Sequence, residues 1–359
     1  MATLRYIGPA SGYLPSVAGQ VVAFIKQPTQ YKLNEYCQYV AHDEPTGLYT
    51  TLGRDEPVRV VTSDEFSWED TSDMPTGELY KTRFQETEFR CRRFAFPWRV
   101  GNVAANTAKF FKPKITQMAE ALSMCMTHRT RRYFDLLEDT TVWGANTSAA
   151  NTLNSGAGPW DKASDYPDSP NFMAFAKSIL QAARTINFYT NGVVGIEDLR
   201  LILNPTDAIR IGMSPEMRHY LANSPAAKEE MANPGGRVNQ LWSLPKTYVG
   251  MEIIVEDAVI VKERPNPNAS ATSLQATANR QYIKPSGTAL IVSRKGGIDG
   301  TYGEKSYSTV QMYYYKDLLR IKQEYDSWNE YIKGAVVDYF VMTLVAPPAG
   351  YYITSLFSN

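Results

Sequence analysis

The chain has 359 residues, 43% of them hydrophobic and 21% charged, a balance that excludes a disordered polymer and allows two or three domains with real cores. Its 37 lysines and arginines cancel its 37 aspartates and glutamates, which argues against a dedicated DNA-binding protein, whose affinity needs a net basic surface. No apolar run approaches the roughly 18–20 residues that span a bilayer. The first residues, MATLRYIGPASGYLP, lack the apolar core of a secretory signal, so a cytosol-like compartment is expected. Cys37, Cys91 and Cys125 lie far apart with no CxxC and read as buried thiols. Tyrosine is frequent, at 23 residues, and such amphipathic rings are enriched where proteins meet.

Residues 1–52 show a short apolar run at 21–25 and are punctuated by Pro9, Pro15, Pro28 and Pro45, which reads as an extended arm. Residues 53–100 form a distinct unit. PVRVVTSDEFSW is strand-like, EDTSDMPTGE holds the turn residues Pro75 and Gly77, and LYKTRFQETEFRCRRFAF returns with period-two alternation. Neither side of that return is cleanly apolar. A two-stranded ribbon of this length is unstable alone, so a protruding hairpin that packs on another chain is predicted. Its end, FRCRRFAFPWRV (89–100), sets Arg90, Arg92, Arg93 and Arg99 among Phe89, Phe94, Phe96 and Trp98. That pattern fits a nucleic-acid-binding strand. It equally fits a strand that grips neighbouring subunits, and Glu86 and Glu88 beside it weigh toward the structural reading.

Residues 107–140 give the clearest helix. Phe111, Ile115, Met118, Leu122, Met126, Tyr133 and Leu137 recur on one face, Thr107 is the expected cap, and the opposite face carries Arg129, Arg131 and Arg132. At about 1.5 Å per residue such a helix runs to roughly 50 Å, the length of a strut. After a polar loop at 144–170, a second amphipathic helix is expected near 170–188, with Phe172, Phe175, Ile179, Leu180 and Ala183 inward. DLRLILNPTDAIRI reads as a buried strand, a turn at Asn204-Pro205 and a helix start capped by Thr206 or Asp207. A further helix is predicted over about 214–231. LWSLPKTYVGMEIIVEDAVIV gives two strand-like runs, and 264–281 reads as an exposed loop. The tail AVVDYFVMTLVAPPAGYYITSL reads as a strand apolar on both faces, hence central, then a turn at Pro347-Pro348 and a last strand.

No GxxxxGK[ST], HExxH or GxSxG motif occurs. Adjacent carboxylates such as Glu138-Asp139 do not face each other on a helix or strand. The sequence therefore offers no catalytic constellation, no cofactor site and no metal site.

The order of elements carries a resemblance. An extended arm, a long hairpin, a strut helix, an α/β region and an apolar closing strand, in that order, resemble the major capsid proteins of tailed bacteriophages, the HK97 fold. DLRLILNPTDAIRI, LWSLPKTYVGMEIIVEDAVIV and VVDYFVMTLVAPPAGYYITSL are similar to three of that family's segments, with Ser243 where the second of them usually has glycine. The resemblance implies an α+β fold with an N-terminal arm (1–52), an E-loop hairpin (53–100), a P-domain (101–199) with a spine helix (107–140), an A-domain (200–315) and a return to the P-domain (316–359). It implies a non-enzymatic shell subunit that assembles as pentamers and hexamers in the host cytoplasm and ends in the virion around phage double-stranded DNA. Scaffolding, portal and decoration proteins are its implied partners, with no membrane and no cofactor. Trp68, Lys81, Arg83, Arg90, Arg92 and Arg93 of the E-loop are implied inter-subunit contacts, with Lys81 the nearest candidate for a crosslinking lysine. Arg129, Arg131 and Arg132 are implied to face packaged DNA. An encapsulin-type compartment that holds a cargo enzyme is the alternative within the fold. A soluble α+β enzyme and a nucleic-acid-binding module are the alternatives outside it.

Overall fold

The structure is a computed structural model that describes residues 25–52, 84–101, 113–162, 169, 172–223, 238–239, 244–261, 280–294, 308–328 and 330–358. Two sheets and four helices of eight residues or more organise them. The six-stranded sheet runs in the order β5 (Thr147–Ala149), β17 (Gly350–Thr354), β13 (Ala289–Ser293), β6 (Leu199–Leu203), β10 (Met251–Val255) and β9 (Thr247–Tyr248). The five-stranded sheet holds β1 (Gln38–His42), β14 (Val310–Tyr315), β16 (Tyr331–Leu344), β15 (Arg320–Asp326) and β4 (Arg92–Gly101). Three two-stranded ribbons complete the strands: β2 (Thr46–Leu52) with β3 (Phe84–Arg90), β7 (Val238–Asn239) with β8 (Leu244–Pro245), and β11 (Val259–Val261) with β12 (Arg280–Tyr282). The helices are α1 (Pro113–Leu137), α2 (Ala174–Tyr189), α3 (Pro205–Gly212) and α4 (Pro215–Asn223).

Period-two alternation gives the six-stranded sheet two buried faces. Leu201, Leu203, Ile253, Ile291 and Ile353 point to one side, where they pack with Phe175, Ile179 and Ile186 of α2. Ile202, Ile254, Leu290, Val292 and Tyr352 point to the other, where they meet Met126, Tyr133, Phe134 and Leu137 of α1. The far end of α1 lies on the five-stranded sheet, with Ala121 and Cys125 against Trp98, Val100 and Val336. The strut helix is thus a wedge shared by both sheets. Its expected face is buried at Met126, Tyr133 and Leu137, but Ile115 is 52% exposed because the sheets do not extend over the first turns. Phe111 and the cap at Thr107 lie outside the described residues. The helix ends at Leu137 and not at 140, since the Asp139 side chain accepts from the Thr141 backbone N–H at 2.9 Å and opens a short 3₁₀ turn at Thr140–Trp143.

The structure amends several other expectations. In the Asn-Pro segment the cap is Asn204, whose side chain accepts from Thr206 N–H at 2.7 Å. Thr206 cannot cap because it already sits at the second helical position, and Asp207 instead accepts from Gly287 N–H at 2.8 Å. Leu180 is 43% exposed on α2, while Phe175, Ile179 and Ala183 are buried. The last strand expected after the Pro347-Pro348 turn is β17, which lies between β13 and β5 in the six-stranded sheet. The long apolar strand β16 is central, as its two apolar faces predict: β4 pairs along one edge, and β15 and β14 follow each other along the other.

Candidate assembly surface

The contact between α1 and β16 joins the strut helix to the five-stranded sheet. There, Arg129 of α1 and Asp338 of β16 form a forked ion pair: Nε donates to Oδ2 at 2.6 Å and Nη2 to Oδ1 at 2.8 Å. Arg129 is 1% exposed and Asp338 is fully buried. Arg129 Nη2 also donates to the Leu318 carbonyl, Cys125 Sγ donates to Asp338 Oδ2, and the guanidinium lies 5.8 Å from the Phe340 ring centre. Burial on its own lowers the Arg129 pKa, but the two bonds to Asp338 outweigh it and hold the guanidinium above its ordinary value. Its sequence neighbour His128 packs among Phe94, Phe96 and Phe340. Burial, with Arg132 nearby, holds its imidazole below the ordinary value.

The strip 89–100 splits at Cys91. Its first part belongs to β3. Phe89 stacks on Tyr313 of β14 with ring centres 4.1 Å apart, and His42 meets its edge. Gly47 makes room, because a Cβ there would stand 2.6 Å from the Phe89 ring. This anchors the β2–β3 ribbon on the side of the five-stranded sheet away from α1, among Val40, Tyr49, Tyr315 and Val341. The second part is β4, paired with β16 from Arg92↔Phe340 to Gly101↔Tyr331. Phe94, Phe96, Trp98 and Val100 turn toward α1, while Arg93, Ala95, Pro97 and Arg99 turn outward. A cleft of about 830 Å³ opens at this corner, lined by Trp98, Arg99, Gln117, Lys322, Glu324 and Lys333 among others. The β15–β16 turn beyond it projects Trp328, 92% exposed, with Tyr325 half exposed on the same hairpin.

The residues predicted to act at contacts fall in three groups. Trp68, Lys81 and Arg83 lie outside the described residues, as does all of 53–83. Arg90, Arg92 and Arg93 are exposed around the junction of β3 and β4, with Arg93 over the Tyr339 ring at 5.5 Å. The hairpin itself begins earlier than predicted: its outgoing strand at the base is 46–52, assigned to the arm from sequence, because Thr46↔Arg90 through Leu52↔Phe84 pair. Of the three arginines expected to face DNA, Arg129 is a correction. Its charge is spent inside the protein on Asp338, so it presents nothing to a ligand. Arg131 and Arg132 are exposed; Arg131 lies 3.6 Å from Asp135 and Arg132 stacks over Phe94.

Sequence reasoning missed the second half of the buried pair. The available signal was Asp338, a lone carboxylate in the apolar run VVDYFVM. A buried carboxylate needs a cation. The same logic applies to Glu216, which accepts from the Phe175 and Ala176 N–H groups, both at 2.9 Å, and from Tyr248 Oη at 2.7 Å. Burial raises its carboxyl above the ordinary value even so. Cys37, Cys91 and Cys125 are free and buried, as predicted, and burial pushes the Cys37 thiol up to about 12. Among the described residues no helix is long and apolar enough to cross a membrane, and no group of three or more His, Cys, Asp or Glu side chains is placed to hold a metal ion.

No protein-family model and no curated protein matches the chain. Solved structures do. A phage-related protein from Bordetella bronchiseptica RB50 is similar at a TM-score of 0.59 and 13% identity, over 92% of this chain and 94% of that one. The capsid of the cyanophage P-SCSP1u is similar at 0.52 and 11% identity, over 96% and 94%. The mature capsid of bacteriophage PhiM1 is similar at 0.53 and 9% identity, over 95% and 91%. At such identities the shared property is the fold, and the fold is the α+β, HK97-type fold of phage capsid proteins.

Proposed function

We propose that this chain is the repeating subunit of a phage capsid, a protein that closes as pentamers and hexamers into an icosahedral shell around double-stranded DNA. The observation that supports it is end-to-end similarity: 95% or more of this chain matches two capsid structures, which it covers to 91% or more. Shared fold over whole lengths favours shared architecture, because a shell subunit uses its whole body as its site. The anchored β2–β3 ribbon, the rigid α1 strut and the exposed apolar tip at Trp328 are parts that make sense in contact with further copies. Arg131 and Arg132, exposed on α1, are read as contacts to packaged DNA through phosphates, without sequence selectivity.

We also read the chain as non-catalytic. Two of the shifted carboxyls are committed to fixed partners, Glu216 to a helix start and Glu256 to Tyr36 Oη at 2.7 Å, so their burial serves packing. The test is size-exclusion chromatography with negative-stain electron microscopy of the purified protein. Closed shells or capsomer rings are expected; a monomer that persists with scaffold or crowding agent supplied overturns the reading. Deleting residues 69–78 should leave a soluble, folded subunit that forms no closed shells, and normal assembly of that variant would sink the hairpin's role. The absorbance ratio of any shells at 260 and 280 nm separates DNA from a protein cargo.

A further inference from the structure

The end of α1 meets the corner where α3 and the 284–288 turn adjoin the six-stranded sheet, and three titratable side chains influence one another there. Lys284 is fully buried, and its hydrogen bonds all go to neutral oxygens: the Pro285 carbonyl at 3.3 Å, the Thr288 carbonyl at 3.0 Å and Thr288 Oγ1. Asp207 of α3 is 1% exposed and accepts from the Gly287 N–H at 2.8 Å, while Asn204, the cap of α3, donates to the Lys284 carbonyl. Glu138, the residue that follows α1, is half-buried, and its Oε1 is closed off from solvent with no hydrogen-bond partner. With all three ionised, two carboxylates face one ammonium in a desolvated corner, at the negative end of the α1 dipole. One added proton brings the corner to neutrality. The neighbouring groups do not supply that balance. Asp135 of α1 adds to the negative side, Arg210 of α3 is already paired with Asp161 at 2.7 Å, and Tyr352 of β17, bonded to Thr288, is kept neutral by burial.

We propose that Glu138, Lys284 and Asp207 form a proton-operated latch, which holds the end of α1 on the α3 corner while one carboxyl is protonated and loosens that corner when both ionise. The latch lies within one subunit and does not depend on the shell-subunit reading. Burial pushes the Glu138 carboxyl from an ordinary 4.5 up to about 7, against the pull of Lys284. Its stabilisation is therefore fully present below about pH 4.5 and is lost as pH rises through 7. Asp207, raised by burial to about 6, acts in the same direction. Lys284, lowered by burial to about 8, acts against both. Between pH 6 and 8.5, local opening should become about tenfold easier through Glu138 and about twofold easier through Asp207, offset about fourfold by Lys284. The net rise is about fivefold. Glu138 sets its direction, because the other two alone leave no increase.

The test is amide hydrogen exchange of the full chain, read by mass spectrometry from pH 6 to 8.5, with each rate divided by the intrinsic rate at that pH. The reporters are the peptides that carry the Gly287 and Leu356 amides, since Leu356 N–H donates to the Gly287 carbonyl at 3.1 Å. Helix α2 is the reference, because it packs on the other face of the six-stranded sheet from α1. In the wild type, opening at the reporters should rise about fivefold while α2 stays level. Glu138→Gln removes the titration and has no Oε1 bond to lose, so it should fold and show no rise. Lys284→Met removes the offset and should bring the rise to about tenfold or more. A level wild-type profile overturns the latch, and so does an undiminished rise in Glu138→Gln. A level profile in Lys284→Met does the same. An equal rise in α2 also overturns it, since the pH dependence would then belong to the whole molecule.

Discussion

Arg129 and Asp338 sit 209 positions apart and are both buried, so each is tolerable only because of the other. Removing one partner leaves an uncompensated charge inside, which costs about 3–5 kcal/mol, whereas replacing both by apolar groups is often close to neutral. Arg129→Met should therefore lower the unfolding free energy by roughly that amount, and Arg129→Met with Asp338→Leu should recover most of it, as urea titration would show. A second pair of outcomes concerns pH. Burial raises the Asp207 carboxyl to about 6, only partly offset by the Gly287 N–H and by Lys284. Its folded pKa thus exceeds its unfolded one. The stabilisation is fully present below about pH 4 and is lost as pH climbs through about 6. Lys284, pulled down to about 8 by burial, acts in the opposite sense: its charged form is disfavoured inside, so stability falls as pH drops through 8. Asp207→Asn, which keeps an oxygen for Gly287, should abolish the first component and also remove a carboxylate that favours the charged form of Lys284. The difference in melting temperature between variant and wild type should grow from pH 4 to pH 7; a constant difference would refute it. Neither effect could be read from sequence, where Arg129 looks like its neighbours Arg131 and Arg132.

Single elements were more legible than their pairings. The Asn204-Pro205 turn, the strand before it and the helix after it follow from local rules, since proline fits the first helical position and asparagine caps it. Asn204→Ala should cost about 1–2 kcal/mol, seen in thermal melts, because it also removes the bond to the Lys284 carbonyl. The long strand β16 announced itself by apolar faces on both sides. What local rules could not give was that β4 leaves the hairpin for β16, or that β17 joins the other sheet, because both depend on partners distant in sequence. Gly334 shows how tightly such a pairing is fitted. It lies opposite Trp98, and an added Cβ would run into the indole and the Lys322 carbonyl. Gly334→Ala should destabilise by about 1–3 kcal/mol through overpacking and move the emission of Trp98, whereas Gly101→Ala, in open space at the end of the same strand, should not.

At the scale of the molecule, α1 couples the two sheets through one continuous set of buried side chains. The described body should therefore unfold in a single transition. Phe134→Ala, which hollows the core where α1 meets both sheets, should cost about 3–5 kcal/mol and move one calorimetric peak; two separated peaks would mean the sheets are independent. The same wiring sets a timetable for synthesis. β1 pairs with β14, β4 with β16 and β5 with β17, so each of these three strands waits for one made about 200 residues or more later. At roughly 5–20 residues per second, the first strands stand unpaired for at least ten seconds on the ribosome. The β4–β16–β15 face does not exist during that time. The topology therefore acts as a delay: the two sheets, and every surface they carry, come into being only when nearly the whole chain has been made.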